Sequence, residues 1–342
     1  IGALPTAIFE NTREVTARKL AATTTPLPPS VTKPSQPLNT ATNTPTSMAS
    51  ATSTPLPSGV YHLKMGVTYL KNGEYRKALL EYNKAAEIDP QLGTGKFHND
   101  RGVIYKSLGE HKKAIDDFDA SIRIDPKITI SYINRAAVYA DLGQYDRAIQ
   151  DLNEAIKQDS NLDTGYYNRG LAYSTLGQYQ RAINDFDKAI KLDPEDAANH
   201  SGRGLAFYGL GQYRQAINDF DKAIKLNPNL ANTYTNRGAV YAELGQYELA
   251  LEDHSDAIKL DPKSFKAYLN RGRIYNQLEQ YENALLDFNK AVVLDPKKTH
   301  GSSNSATLVD VYVNRGYAYS SLGQLGHAVA DYTEAIRLAP DL

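Results

Sequence analysis

Prolines recur at a fixed interval in this chain, and that interval constrains the fold more than any other feature. Pro194, Pro228, Pro262 and Pro296 follow one another at steps of 34 residues. Each closes a similar tripeptide, LDP or LNP, and IDP ends likewise at Pro90 and Pro126. Ser160 stands where a proline is due between Pro126 and Pro194, and LAP ends at Pro340. Two residues are inserted after Pro90 and ten after Pro296. A period of this size marks an array of small units stacked in a line. Eight units result, at 59–92, 95–128, 129–162, 163–196, 197–230, 231–264, 265–298 and 309–342.

The unit at 163–196, DTGYYNRGLAYSTLGQYQRAINDFDKAIKLDPED, shows the physics. Tyr166, Gly170 and Tyr173 recur at helical spacing and share a face. Gly177 suits a left-handed helix end. A second helix carries the apolar stripe Ala182, Ile183, Phe186, Ala189 and Ile190, and Pro194 stops it. Small residues (Gly170, Ala182, Ala189) let two helices approach, and Tyr173 and Phe186 are expected to fill the space between them. One helix pair cannot bury both faces, so neighbouring pairs must stack.

This pattern resembles the tetratricopeptide repeat family over about five-sixths of the chain. The small residue of the first helix is Gly66, Gly102, Ala136, Gly170, Gly204, Gly238, Gly272 and Gly316. The aromatic is Tyr69, Tyr105, Tyr139, Tyr173, Phe207, Tyr241, Tyr275 and Tyr319. The alanine of the second helix is Ala78, Ala114, Ala148, Ala182, Ala216, Ala250, Ala284 and Ala328. Departures are His254 at a large apolar position, Glu279 at the turn glycine, and THGSSNSATL (299–308), which lengthens the last joint. The resemblance implies an all-α fold, a right-handed superhelix of antiparallel helix pairs whose first helices line the concave side.

Composition excludes several chemistries. The chain holds no cysteine, so disulfides, thiol nucleophiles and cysteine-based zinc sites are out. A formal net charge of −1 with well-mixed signs offers no basic surface for nucleic acid. No apolar run is long enough to span a membrane. The seven histidines, at 62, 98, 111, 200, 254, 300 and 327, do not fall at metal-ligand spacing. Acids such as Asp185 and Asp187 read as a solvated helix face rather than an acid/base pair. No phosphate loop, nucleophile elbow or dinucleotide fingerprint is present. The expectation is a protein with no catalytic residues, metal or cofactor.

Asn134, Asn168, Asn236, Asn270 and Asn314 occupy one position of successive repeats, interrupted by Asp100 and Gly202. In related superhelices an asparagine of the first helix bonds the backbone of a bound peptide. An amide donates and accepts, so a ladder of them reads an extended chain without reading its sequence. The alternative is that each asparagine bonds a neighbouring repeat. The adjoining arginines (Arg101, Arg135, Arg169, Arg203, Arg237, Arg271, Arg315) are more regular and suit salt bridges between repeats. Ile130, Ile133, Thr164, Tyr167, Ser201, Thr235, Leu269 and Arg273 complete the expected groove, which has no cluster of Lys or Arg to clamp a peptide carboxylate.

Ahead of the repeats, residues 23–58 hold ten Thr, six Ser and eight Pro in 36 positions. Such a segment has too little apolar area to fold and favours an extended polyproline II chain. The composition is that of O-glycosylated stalks, with Thr23, Thr24, Thr25, Ser30, Thr32, Thr44, Thr46 and Thr54 as candidate acceptors. The alternative is a bare linker. The stalk reading places the chain outside the cell or on its surface, with the cytoplasm as the other option. The sequon Asn199-His200-Ser201 falls in an expected helix and reads as chance. Residues 1–22 hold a short amphipathic pattern at Ile8, Phe9, Val15 and Leu20, a candidate docking segment. Ile1 at the front reads as a processed start or a trimmed boundary.

Arrays of this kind need polar caps. Val60, Leu63 and Val67 at the front and Val329, Tyr332 and Ile336 at the back carry apolar stripes with no capping helix beyond them. Complementary bare ends make a contact that does not close, hence a filament. Two functions follow as expectations. One is a secreted structural protein assembling head to tail, with 1–22 docked on a neighbour. The other is a monomeric scaffold binding a peptide or protein in its groove.

Overall fold

The computed structural model describes residues 58–294 and 305–339. The expected docking segment, nearly all of the Thr/Ser/Pro stretch with its candidate sugar acceptors, and residues 299–304 of the insertion lie outside the described residues. The described chain is helical apart from its connections, and it forms two compact bodies that divide between Ser160 and Asn161.

The first body holds α1 (Ser58–Lys71), α2 (Tyr75–Ile88), α3 (Gly95–Ser107), α4 (His111–Ile124), α5 (Thr129–Asp141) and α6 (Tyr145–Gln158). A short 3-10 turn, Pro90–Leu92, takes up the two inserted residues. The second holds α7 (Asp163–Thr175), α8 (Tyr179–Leu192), α9 (Ala197–Gly209), α10 (Tyr213–Leu226), α11 (Ala231–Glu243), α12 (Tyr247–Leu260), α13 (Phe265–Gln277), α14 (Tyr281–Val293), α15 (Ser305–Ser321) and α16 (Leu325–Leu338). Part of the insertion is thus helix: α15 has 17 residues where α13 has 13.

Within each pair, three residues join the helices, which therefore pack antiparallel. The turn is set by one backbone state. Gly73, Gly109, Gly143, Gly177, Gly211, Gly245 and Gly323 have φ of 71–76°. The amide after each glycine reaches back to the carbonyl of the helix's aromatic, as Gln178 to Tyr173 at 2.8 Å. Glu279 adopts the same state at φ 58°, a strain of about 1 kcal/mol that the rest of the pair sustains.

Close approach fixes the other glycines. A Cβ on Gly102 would meet the Phe118 ring at 2.6 Å, on Gly204 the Phe220 ring at 2.8 Å, and on Gly272 the Phe288 ring at 2.7 Å. Those rings are fully buried. Ala136 is tolerated in the third repeat, where the equivalent ring is replaced by the smaller Leu152. Phe186 fills the space between the two helices as the sequence suggested, and the aromatics equivalent to Tyr173 contribute from its edge, Tyr69, Tyr105 and Tyr275 packing partly buried against the core. They lie half-buried under cations, Arg181 standing 5.7 Å from the Tyr173 ring.

Helix α9 is the most enclosed element, with nine buried residues from Ala197 to Ala206. Its small side chains cause this. A Cβ at Gly202 would lie 2.6 Å from Phe186, and one at Gly209 would lie 2.5 Å from Tyr179. The asparagine series breaks at Gly202 because α8 leaves no room for a side chain there.

Candidate functional site

The arginine of each first helix is a structural clamp. Arg203 on α9 grips Asp219 on α10 with two bonds, Nε to Oδ2 at 2.8 Å and Nη2 to Oδ1 at 2.7 Å. The same bidentate pairing joins Arg101 to Asp117, Arg135 to Asp151, Arg169 to Asp185, Arg237 to Asp253, Arg271 to Asp287 and Arg315 to Asp331. The salt bridges expected between repeats therefore lie first within a repeat. A third guanidinium arm then crosses to the preceding repeat: Arg203 to Asp187 at 2.7 Å, Arg237 to Asp221 at 2.5 Å, Arg271 to the Ser255 hydroxyl at 3.0 Å. Arg135 does the same to Asp119.

Asp185, read from sequence as solvated, is 5 % exposed and paired; only Asp187 of the two faces solvent. Burial opposes ionisation of Asp219, but Arg203 and His200 outweigh it and hold the carboxyl below its usual range. Asp117 behaves alike, with Arg101 and His98 outweighing its burial. Fixed in bidentate pairs, these acids are not available for proton transfer.

The asparagine series divides. Asn134 is buried and its Nδ2 donates to Asn99 at 2.9 Å; Ser131 donates to the same oxygen at 3.1 Å. It is a joint between α3 and α5. Asn314 donates to the Asp310 carbonyl at 2.7 Å, and its own carbonyl accepts from Asn276 at 2.9 Å. Asn168, Asn236 and Asn270 are half-buried, and their amides make no hydrogen bond among the described residues. Helical spacing aligns Asn236 with Asn232, Ala239 and Glu243, and Asn270 with Lys266, Arg273 and Gln277. These residues are half-buried or exposed.

Other expected groove residues face inward. Tyr167 is 2 % exposed and meets the Phe186 ring edge-on at 5.8 Å. Thr235 is buried and donates to the Ala231 carbonyl at 3.2 Å. Ile133, Ser201 and Leu269 are buried as well. Their position packs a first helix against its neighbours, which periodicity alone does not reveal. Arg273 stays half-buried and pairs with Asp310 at 3.1 Å.

The expected assembly ends also divide. Leu63 and Val67 pack on the core of their own body, around Ala78, Tyr82 and Phe97, and Val60 is half-buried. They do not form a bare face. Val329 and Ile336 are exposed, whereas the Tyr332 ring turns inward onto Gly316. Asn199 of the sequon is fully buried and unavailable to a glycan. No helix among the described residues is long and apolar enough to cross a membrane.

Comparison with known proteins agrees with this geometry. The family model described as Tetratricopeptide repeat matches residues 95–128, 164–196, 231–264, 265–298 and 309–342, and a second model of that description matches 60–92. The model described as TPR repeat matches 136–177 and 204–245. Among solved structures, a tetratricopeptide repeat protein from Parabacteroides merdae is similar at 22 % identity and TM-score 0.62, over 74 % of this chain and 98 % of that one. A chain of the APC/C hetero-tetramer Cut9–Hcn1 is similar at 20 % identity and TM-score 0.60, over 72 % of this chain and 48 % of that one. The chain matches no curated protein sequence.

Proposed function

The chain belongs to the tetratricopeptide repeat family, and on that premise we propose that it is a non-enzymatic scaffold binding an extended peptide segment of a partner protein. One observation carries the reading. Asn168, Asn236 and Asn270 hold amides with no hydrogen-bond partner among the described residues, on first helices whose arginines are committed to the clamps. An amide pair of donor and acceptor suits a peptide backbone. Selection from a displayed random-peptide library is expected to enrich extended binders. Those binders are expected to lose about tenfold in affinity, or 1.4 kcal/mol, for the double variant Asn236→Ala/Asn270→Ala. Binding that is unchanged in the variant, or no enrichment, sinks the reading.

A second reading is head-to-tail assembly of a secreted chain with a glycosylated stalk. It is favoured by α16, where Leu325, Val329 and Ile336 are each 64 % exposed, while the equivalent Ile183 on α8 is 5 % exposed under α9. A further repeat, or another copy of the chain, would bury that face. The composition of residues 23–58 supports the stalk and an extracellular or surface location. Negative-stain microscopy of native material is expected to show fibres, and the intact mass of the same sample to exceed that of the polypeptide. Discrete particles at high concentration and a bare mass would leave the scaffold alone.

A further inference from the structure

Among the described residues, the first repeat is open where every later one is covered. The third residue of a repeat packs on the second helix of the repeat before it: Phe97 meets Tyr82, and the Ser131 hydroxyl bonds that of Ser121 at 2.7 Å. From Phe97 to Val311 this position is buried in all seven later repeats. Its equivalent on α1 is Tyr61, which is 51 % exposed. The front of the array is thus open at Tyr61 rather than at Val60, Leu63 and Val67.

This third position is aromatic only at Tyr61 and Phe97. The large residue between the two helices of each pair is tyrosine only at Tyr82 and Tyr332, and otherwise Phe, Leu or His. Inside the chain the two choices go together. Tyr82 packs against Phe97 with ring centroids 5.1 Å apart and planes tilted by 51°, an arrangement that aromatic pairs favour. No ring follows the others: Ser131 comes after Phe118, Gly165 after Leu152 and Asn199 after Phe186.

Tyr61 and Tyr332 are the unmatched halves of this pairing. Tyr332 already holds the pose of Tyr82, since a Cβ on Gly316 would lie 2.9 Å from its ring and one on Gly66 would lie 2.7 Å from Tyr82. Yet Tyr82 is fully buried, whereas Tyr332 is half-buried, with Val329 and Ile336 on the same helix each 64 % exposed.

A second, independent observation concerns charge. At internal joints the third arm of the arginine reaches the residue after that ring in the preceding repeat, as Arg203 reaches Asp187 and Arg237 reaches Asp221. On α1 the arginine is replaced by Met65, and on α16 the acid is replaced by Thr333, whose hydroxyl donates to the Val329 carbonyl at 2.7 Å. Both halves of the ion pair are missing together, so bringing the two ends into contact strands no charge.

We propose that these ends are a matched joint between two copies of the chain: Tyr61 of one copy seats on Tyr332 of the other as Phe97 seats on Tyr82, and α1 covers Val329 and Ile336. This rests on the head-to-tail reading above and gives it a residue register. Lys64 stands on α1 where Asp100 stands on α3, so the Tyr332 phenol accepts a hydrogen bond at the joint where that of Tyr82 donates one at 3.2 Å. The contact is heterologous, each copy offering a different end to each neighbour.

The test is sedimentation equilibrium of the full chain over a range of concentrations, with two end-blocking variants. Tyr61→Glu blocks the front and Ile336→Glu the back. Both side chains are exposed, so unchanged helical circular dichroism is expected. The wild type is expected to gain mass with concentration, and each variant alone to associate at least about tenfold more weakly. An equal mixture of the two variants is expected to form a dimer and stop there, because one intact front and one intact back remain. A wild type that stays monomeric throughout ends the assembly reading and this joint with it. A wild type that assembles while either variant assembles equally well, or a mixture that forms no dimer, overturns the joint alone and leaves assembly to another surface.

Discussion

Replacing His254 by phenylalanine is expected to stabilise the second body by about 2–3 kcal/mol at neutral pH and to remove an acid-labile step. His254 lies fully buried on α12, where the second, fifth and seventh repeats carry Phe118, Phe220 and Phe288. Neither ring nitrogen has a hydrogen-bond partner. The replacement fits, because a Cβ on Gly238 would lie 2.9 Å from the imidazole Cε1, close to the 2.6–2.8 Å that its equivalents keep from phenylalanine rings. Burial, reinforced by the Arg271 charge on α13, lowers the imidazole from its usual 6.5 to about 3.

The sign of the pH effect follows from that depression. An unfolded chain takes up the proton near pH 6.5, and the folded chain does not until about 3. The stability that the neutral ring allows is complete above 6.5 and is lost as pH falls through that window, by about 1.4 kcal/mol per unit. Arg237 is paired with Asp253 and Arg271 with Asp287; burial raises the Asp253 carboxyl, which offsets part of the acid loss in both wild type and variant and so cancels in their comparison. Hydrogen exchange over α11–α13 at pH 7 and pH 4.5 reads the effect locally. Equal acid sensitivity in wild type and His254→Phe would contradict it.

Phe186→Ala is expected to cost about 4 kcal/mol, felt first in α7, α8 and α9. The Phe186 ring is the wedge of three helices at once. It lies 3.0 Å from where a Cβ on Gly170 would sit, 2.6 Å from one on Gly202, and against Tyr167. Glycines cannot grow into the space that alanine leaves, so the cavity persists. Repeats couple only to their neighbours, and a single global unfolding energy is poorly defined for an array. Native-state hydrogen exchange is therefore the measurement, with Phe288→Ala as the comparison. Loss of protection confined to α7–α10 in the first variant and to α13–α15 in the second is the expected result. Uniform loss along the chain would show that the wedge is not local.

Much of this was legible in residues alone. The 34-residue step gave the helix pairs, and the glycine after each first helix gave the turns. The alternation of Gly102 with Phe118, and of Ala136 with Leu152, encodes the closest approach of each pair. The arginine series was readable as structural because it was more regular than a binding surface needs to be. The partner of each arginine was not readable, since Asp185 carries the same polar signature as the exposed Asp187 beside it.

Sequence by itself determined the period, the helices, the turn geometry and the absence of thiol chemistry, because these follow from local backbone preference and from composition. Tertiary structure decided which face of each helix is left open. A first helix is covered by its own second helix and by its neighbours in the stack, so only a narrow strip remains. Tyr167 and Thr235 fell inside that cover, and Asn236 and Asn270, at the next position of the repeat and so about 100° round the helix, fell at its edge.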